Sequence, residues 1–149
     1  MYQLYTEERK FEQLAQYYTE NPRDIVKGND EFNKFIARIL ATREIITLAA
    51  STGQVYVRNK QMLYIHMAVT KIGAEMVAEI FQQAQQQIYK DYILGDQPLS
   101  VSLKPTALQM RFNFYNHEDL WFQALTLQCH GLVNTRSQAY VIDCLNAVR

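Results

Sequence analysis

The chain has 149 residues, of which 48% are apolar and 20% charged, a balance typical of globular domains and unlike that of disordered chains. Its 15 basic and 15 acidic residues give a formal net charge of zero. This balance argues against a whole-molecule electric field that would recruit nucleic acid or an acidic membrane. We expect a single α+β domain over residues 1–149.

Two helices are predicted in the first third of the chain. Thr6 can cap the first helix, and Pro22 ends it. Asn29 can cap the second, because an apolar stripe with the i, i+3, i+4 spacing of a core-facing helix follows it. That stripe comprises Phe32, Phe35, Ile36, Ile39 and Leu40.

Residues 43–69 fit either strands or a helix. They are rich in β-branched and aromatic residues, and apolar residues alternate with other side chains in the last third, which favours one or two strands. The spacing of Met62, Ile65 and Val69 would equally fit a helix. We predict strands here, followed by a long central helix from about residue 72 to Leu94.

A β-hairpin is predicted at about 98–115, in PLSVSLKPTALQMRFNFYN. Two period-two runs flank Pro105, which we interpret as the turn. The apolar face of the hairpin would sit on helices, because an isolated hairpin is barely stable. That face comprises Leu99, Val101, Leu103, Leu108, Met110, Phe112 and Phe114.

Two further helices are predicted after the hairpin. Asn116 can cap the first, which would end at Gly131. The second would begin at Thr135 or Ser137. The expected fold is therefore α+β, with two N-terminal helices, a small mainly antiparallel sheet, a long central helix and two C-terminal helices.

The polar face of the predicted hairpin is a candidate binding surface. It is mildly basic and ends in an aromatic residue, features that suit a protein interface or single-stranded nucleic acid. Its candidate binding residues are Lys104, Gln109, Arg111, Asn113 and Tyr115.

A second motif overlaps this face. Arg111 and His117 have five residues between them in QMRFNFYNHEDL. This spacing resembles the R-x(4–6)-H active-site motif of HEPN ribonucleases. The resemblance implies metal-independent RNA cleavage, with Arg111 holding the phosphate and His117 acting as general acid or base. That family is all-helical, whereas Arg111 lies within a strand-like alternation, so we favour a strand followed by a helix.

Metal and cofactor sites are not predicted. Cys129, His130 and Cys144 are candidate ligands, but no C-x-x-C pair accompanies them. Cys144 fits a small core residue, and His66 fits a structural histidine. The sequence carries no Gly-rich phosphate loop and no paired carboxylates at catalytic spacing. We therefore expect no cofactor, no metal and no catalytic residues.

The location prediction depends on the cysteines and on what the N-terminus lacks. The first residues, MYQLYTEERKFEQ, have neither the basic head nor the apolar core of a secretory signal. No apolar run approaches the roughly 18 residues of a membrane helix. Two cysteines are too few for a disulfide framework and suit a reducing compartment. These features predict a cytoplasmic protein without membrane contact.

The leading functional hypothesis is a non-catalytic protein-binding or assembly subunit, either a homodimer or a component of a larger complex. Ten tyrosines and seven phenylalanines suit interfaces. The predicted element order is similar to that of small secretion chaperones, which dimerise and hold a partner chain. The alternatives are a nucleic-acid-binding module that uses the polar hairpin face, and a HEPN-like ribonuclease.

Overall fold

The computed structural model describes residues 5–20, 30–51, 61–92, 100–111, 119–132 and 135–148. These residues form four helices and a four-stranded antiparallel sheet, which confirms the predicted α+β class. The sheet has the order β1-β2-β4-β3. In chain order the elements are α1 (Glu8–Glu20), α2 (Asp30–Leu40), β1 (Ile45–Ser51), β2 (Gln61–Val69), α3 (Lys71–Tyr92), β3 (Ser100–Arg111), β4 (Asp119–Leu132) and α4 (Thr135–Ala147).

Helices pack on both faces of the sheet. On one face, α2, α3 and α4 bury their apolar stripes against β2 and β4, whose contributions include Leu63, Ile65 and Leu127. On the other face, α1 contributes Phe11 and Leu14 to a second, smaller core. The strand residues of that second core are Ile46, Leu48, Ala68, Phe122 and Ala124.

Several predicted elements are confirmed. Both N-terminal helices are present, residues 43–69 contain two strands, the central helix is α3 and the last helix is α4. Thr6 has a different role from the predicted cap. Its hydroxyl donates to the Gln123 carbonyl at 2.6 Å and accepts from the Val69 N–H at 3.2 Å. The predicted cap Asn29 lies outside the described residues.

The predicted hairpin turn at Pro105 is wrong. Residues 100–111 form one strand, β3, in which Pro105 pairs with Leu125. Val101, four residues earlier, donates its N–H to Gln85 Oε1 at 2.8 Å rather than to β4. Alternate residues of a strand direct their N–H groups to the same side. The N–H that Pro105 lacks would therefore point to the outer side of β3, which is an edge strand. The proline therefore costs no ladder hydrogen bond.

The predicted helix after Asn116 is also wrong, because residues 119–132 form strand β4. This strand lies in the interior of the sheet, between β2 and β3. Its side chains are buried alternately on the two faces: Leu125 and Leu127 pack with the three helices, whereas Phe122 and Ala124 pack with α1. A strand buried on both faces loses the alternation of polar and apolar residues by which strands are identified in a sequence.

The segment between α2 and β1 is hydrogen-bonded to the start of α3. The Thr70 N–H donates to the Glu44 carbonyl at 3.0 Å, and the Thr70 hydroxyl donates to the Glu44 carboxylate. The same hydroxyl accepts from the Gly73 N–H at 3.0 Å, which caps α3. Arg43, just before, has a φ of 62°, which lets the chain leave α2 and enter β1.

Candidate functional site

An apolar cleft of about 240 Å³ opens between α2, α3 and the C-terminal end of α4. Met76 and Ile80 lie four residues apart on α3 and therefore face the cleft together. Ile39 comes from α2 and Val148 follows α4. We call this surface the helical cleft; it is lined by Arg38, Ile39, Thr42, Met76, Glu79, Ile80 and Val148.

The polar lining of the helical cleft carries one charge of each sign. Arg38 donates to the carbonyls of Leu145 at 2.9 Å and Asn146 at 3.1 Å, at the C-terminal end of α4. Its cation thus lies where the helix dipole is negative. The carboxylate of Glu79 comes from α3, where it accepts a hydrogen bond from Gln83 at 3.2 Å.

Apolar surface continues outside the helical cleft. Among the described residues, the exposed large hydrophobic side chains are Leu40, at 37% exposure, and Ile72, at 59%. Ile72 precedes Met76 by four residues on α3, so the two side chains share one face of that helix. Leu40 directly follows Ile39 on α2. The cleft and these two residues place apolar groups in contact with water.

A polar patch occupies the other face of the sheet. His66 Nδ1 lies 2.7 Å from the hydroxyl of Thr126, which lies 2.9 Å from the hydroxyl of Thr106. The Tyr64 ring lies beside that of His66, with centroids 4.9 Å apart. Burial lowers the pKa of His66, and the nearby Lys104 cation lowers it further. We call Tyr64, His66, Lys104, Thr106 and Thr126 the sheet-face patch.

The structure separates the residues of the predicted binding surface. Lys104 is exposed and pairs with Thr126, whereas Gln109 and Arg111 pair with Trp121 and Asp119. The pairing runs without a register shift, so positions 109 and 111 belong to the opposite face of β3 from position 104. The remaining predicted residues, Asn113, Tyr115 and His117, lie outside the described residues.

The two cysteines are buried and form no disulfide. Burial and the neighbouring Cys144 raise the pKa of the Cys129 thiol to about 12. Thiolates, not thiols, are the nucleophiles and metal ligands, so Cys129 is chemically inert in the folded protein near neutral pH.

We therefore expect Cys129 to react with a thiol reagent such as DTNB only after unfolding. At pH 8, native Cys144→Ser should release little thionitrobenzoate over minutes, whereas the same variant in guanidinium chloride should release one equivalent at once. Cys144 is replaced so that a single thiol is measured. Rapid stoichiometric labelling of the native variant would contradict the burial of Cys129.

In the part of the chain that the structure describes, no group of three or more His, Cys, Asp or Glu side chains is arranged to hold a metal ion. No helix in those residues has the length and apolar character needed to cross a membrane. Comparison with protein-family models, curated proteins and solved structures gave no match to this chain.

Proposed function

We propose that this chain is a non-catalytic assembly subunit that binds a second copy of itself through the helical cleft. The observation that carries the proposal is the continuity of the apolar lining with Ile72, which is 59% exposed. Fully burying an exposed isoleucine side chain contributes about 1.5–3 kcal/mol, and Ile72 has 59% of its surface left to bury. Two such side chains in one symmetric interface would supply a substantial part of a dimer's stability.

The charges of the helical cleft fit a symmetric partner. In a two-fold arrangement the same patch meets itself, so each contact is made twice. Arg38 of one copy would face Glu79 of the partner subunit, and the partner's Arg38 would face Glu79 of the first. The zero net charge of the chain adds no long-range repulsion between copies. Both features favour a second copy over a strongly charged partner.

Ile72→Asp tests the proposal directly. We expect the unchanged protein to sediment at micromolar concentration with twice the 17.5 kDa mass of the chain, and Ile72→Asp to sediment as a monomer. The aspartate places a charge in the apolar contact, where its desolvation is costly. It should not harm the fold, because an acidic residue in the first turn of α3 suits the helix dipole.

Gln82→Asp is the matched control for this experiment. Gln82 is exposed on the same helix but belongs neither to the lining of the helical cleft nor to the exposed apolar residues Leu40 and Ile72 beside it, so the added charge is identical but its location differs. This variant should remain dimeric. A monomeric unchanged protein, or an Ile72→Asp variant that sediments as the dimer, would exclude self-association through this surface.

A further inference from the structure

We propose that the sheet-face patch binds an oxyanion, either free phosphate or a phosphate ester, between Lys104 and the hydrogen-bonded chain His66–Thr126–Thr106. The site lies on the sheet face opposite α2, α3 and α4, and therefore does not depend on the helical cleft. The inference is independent of self-association. It follows from three features: the hydrogen-bonded chain, the cation beside it and the outward donors that protonation of the histidine adds.

The direction of the hydrogen-bonded chain depends on which nitrogen of His66 carries the proton. Thr126 is fully buried, and its hydroxyl lies between His66 Nδ1 and the Thr106 hydroxyl. A hydroxyl donates one hydrogen bond, so Thr126 can donate toward only one of its two neighbours. When His66 Nδ1 carries the proton, Thr106 is the acceptor that remains for the Thr126 hydroxyl among the described residues, so Thr126 donates to Thr106. The Thr106 hydroxyl is then left to donate outward, to a ligand.

Protonation of His66 makes both ends of this chain donors. With both ring nitrogens protonated, Nδ1 donates to Thr126 and Nε2 becomes a second outward donor. Nε2 has no hydrogen-bond partner among the described residues. An oxyanion accepts hydrogen bonds without donating, and bonds to a charged group are the stronger kind. The doubly protonated state therefore matches an oxyanion, whereas the neutral state offers only one donor with one acceptor.

Lys104 supplies the positive charge for such a ligand. It is exposed, it pairs with Thr126 across the two strands, and no described carboxylate forms an ion pair with it. Burial lowers the pKa of His66, and the positive charge of Lys104 lowers it further. An anion bound between the two groups would offset this repulsion and raise the pKa of His66.

Among the described groups that face His66, few can change its pKa apart from Lys104. On its own strand, Tyr64 is in ring contact with it, and β1 presents Ala49 as its paired residue. Strand β4 presents Thr126, and Lys104 lies on the strand beyond. Within the described residues, the charged group acting on His66 is therefore Lys104. A change in the His66 pKa on adding an anion reports binding near these two residues.

The test is an NMR titration of the His66 ring in inorganic phosphate and in chloride at equal ionic strength, assigned with His66→Asn. We expect the pKa of His66 to rise with phosphate concentration and to reach a plateau when the site is saturated. Lys104→Gln should weaken phosphate binding about fivefold, the factor for losing one close charge pair in water. Thr106→Val, which removes the terminal donor at nearly constant shape, should also weaken it. Lys90→Gln, which removes the same charge from an exposed position of α3, should leave it unchanged.

Two further ligands distinguish the sources of the oxyanion. Tighter binding of a nucleoside monophosphate than of inorganic phosphate would assign the site to phosphate monoesters, whereas preference for a short single-stranded RNA would assign it to diesters. Equal His66 pKa values in phosphate and chloride would overturn the proposal. Equal phosphate affinity of Lys104→Gln and the unchanged protein would overturn it as well, since the cation is part of the site.

Discussion

Gly73→Ala is expected to lower the free energy of unfolding by about 3 kcal/mol, the upper part of the range for overpacking a tight contact. A Cβ at residue 73 would lie 2.1 Å from the backbone oxygen of Glu44 and 3.2 Å from Ile45 Cγ1. The oxygen cannot move aside freely, because it accepts the Thr70 N–H that joins β1 to the start of α3. Urea denaturation followed by circular dichroism measures the loss.

The sign of this effect is its most informative feature. In an unobstructed helix, alanine is more favourable than glycine by about 1 kcal/mol, since glycine loses more backbone freedom on folding. Propensity therefore predicts that Gly73→Ala stabilises α3, whereas the contact with Glu44 predicts destabilisation. The two expectations have opposite signs. An error in extrapolating the free energy of unfolding to zero urea therefore does not obscure which of them holds.

Glu75→Ala provides the control for Gly73→Ala. Glu75 is exposed on α3, two residues further along, so its replacement changes helix propensity and surface charge without touching β1. Its unfolding midpoint should differ little from that of the unchanged protein. If Gly73→Ala were as stable as this control, the close approach of α3 to Glu44 would not exist in solution.

Sequence periodicity identified the elements that bury a single face. In α2 the buried residues Phe32, Phe35 and Ile39 follow helical spacing, and the segment was assigned correctly. In β4 both faces are buried, and Phe122 and Leu125 lie on opposite faces of the strand. Their spacing of three residues fits one face of a helix equally well. Local pattern contains no information about what covers the second face.

The Pro105 error has a related cause. A proline between two alternating runs is usually a turn, but on an edge strand its missing N–H can point away from the neighbouring strand. Whether β3 is an edge depends on its partners, which sequence spacing does not reveal. Placing a turn there also shifted the alternation by one residue, which put Lys104, Gln109 and Arg111 on one predicted face.

The candidate sites depended on contacts between distant elements. The helical cleft joins Arg38 to Val148, and their proximity follows from the packing of α2 against α4. The sheet-face patch requires Thr126 to lie between His66 and Thr106. The alternation in β2 did place His66 on the less apolar face. The sequence pattern does not reveal the partner of His66, because it predicts a helix over Thr126.

Thr6→Val is expected to destabilise the protein by about 2–4 kcal/mol, the cost of leaving a buried donor and a partly buried acceptor without partners. The pairing of β2 with β4 ends at Met67 and Leu125, and two residues further it would join Val69 to Gln123. Thr6 takes the place of that pairing. Its N–H donates to the Val69 carbonyl at 2.8 Å, and its hydroxyl bonds the Val69 N–H and the Gln123 carbonyl.

Valine has nearly the shape of threonine, so Thr6→Val removes the hydroxyl with little change in packing. The backbone bond of residue 6 to Val69 remains, and the measured loss therefore belongs to the hydroxyl. Thr6→Ser is the complementary control, since it keeps the hydroxyl and deletes a methyl group at a site that is 1% exposed. Chemical denaturation should rank Thr6→Ser well above Thr6→Val in stability. The reverse order would mean that residue 6 holds β2 and β4 together by packing, and that the two strands do not need the hydroxyl between them.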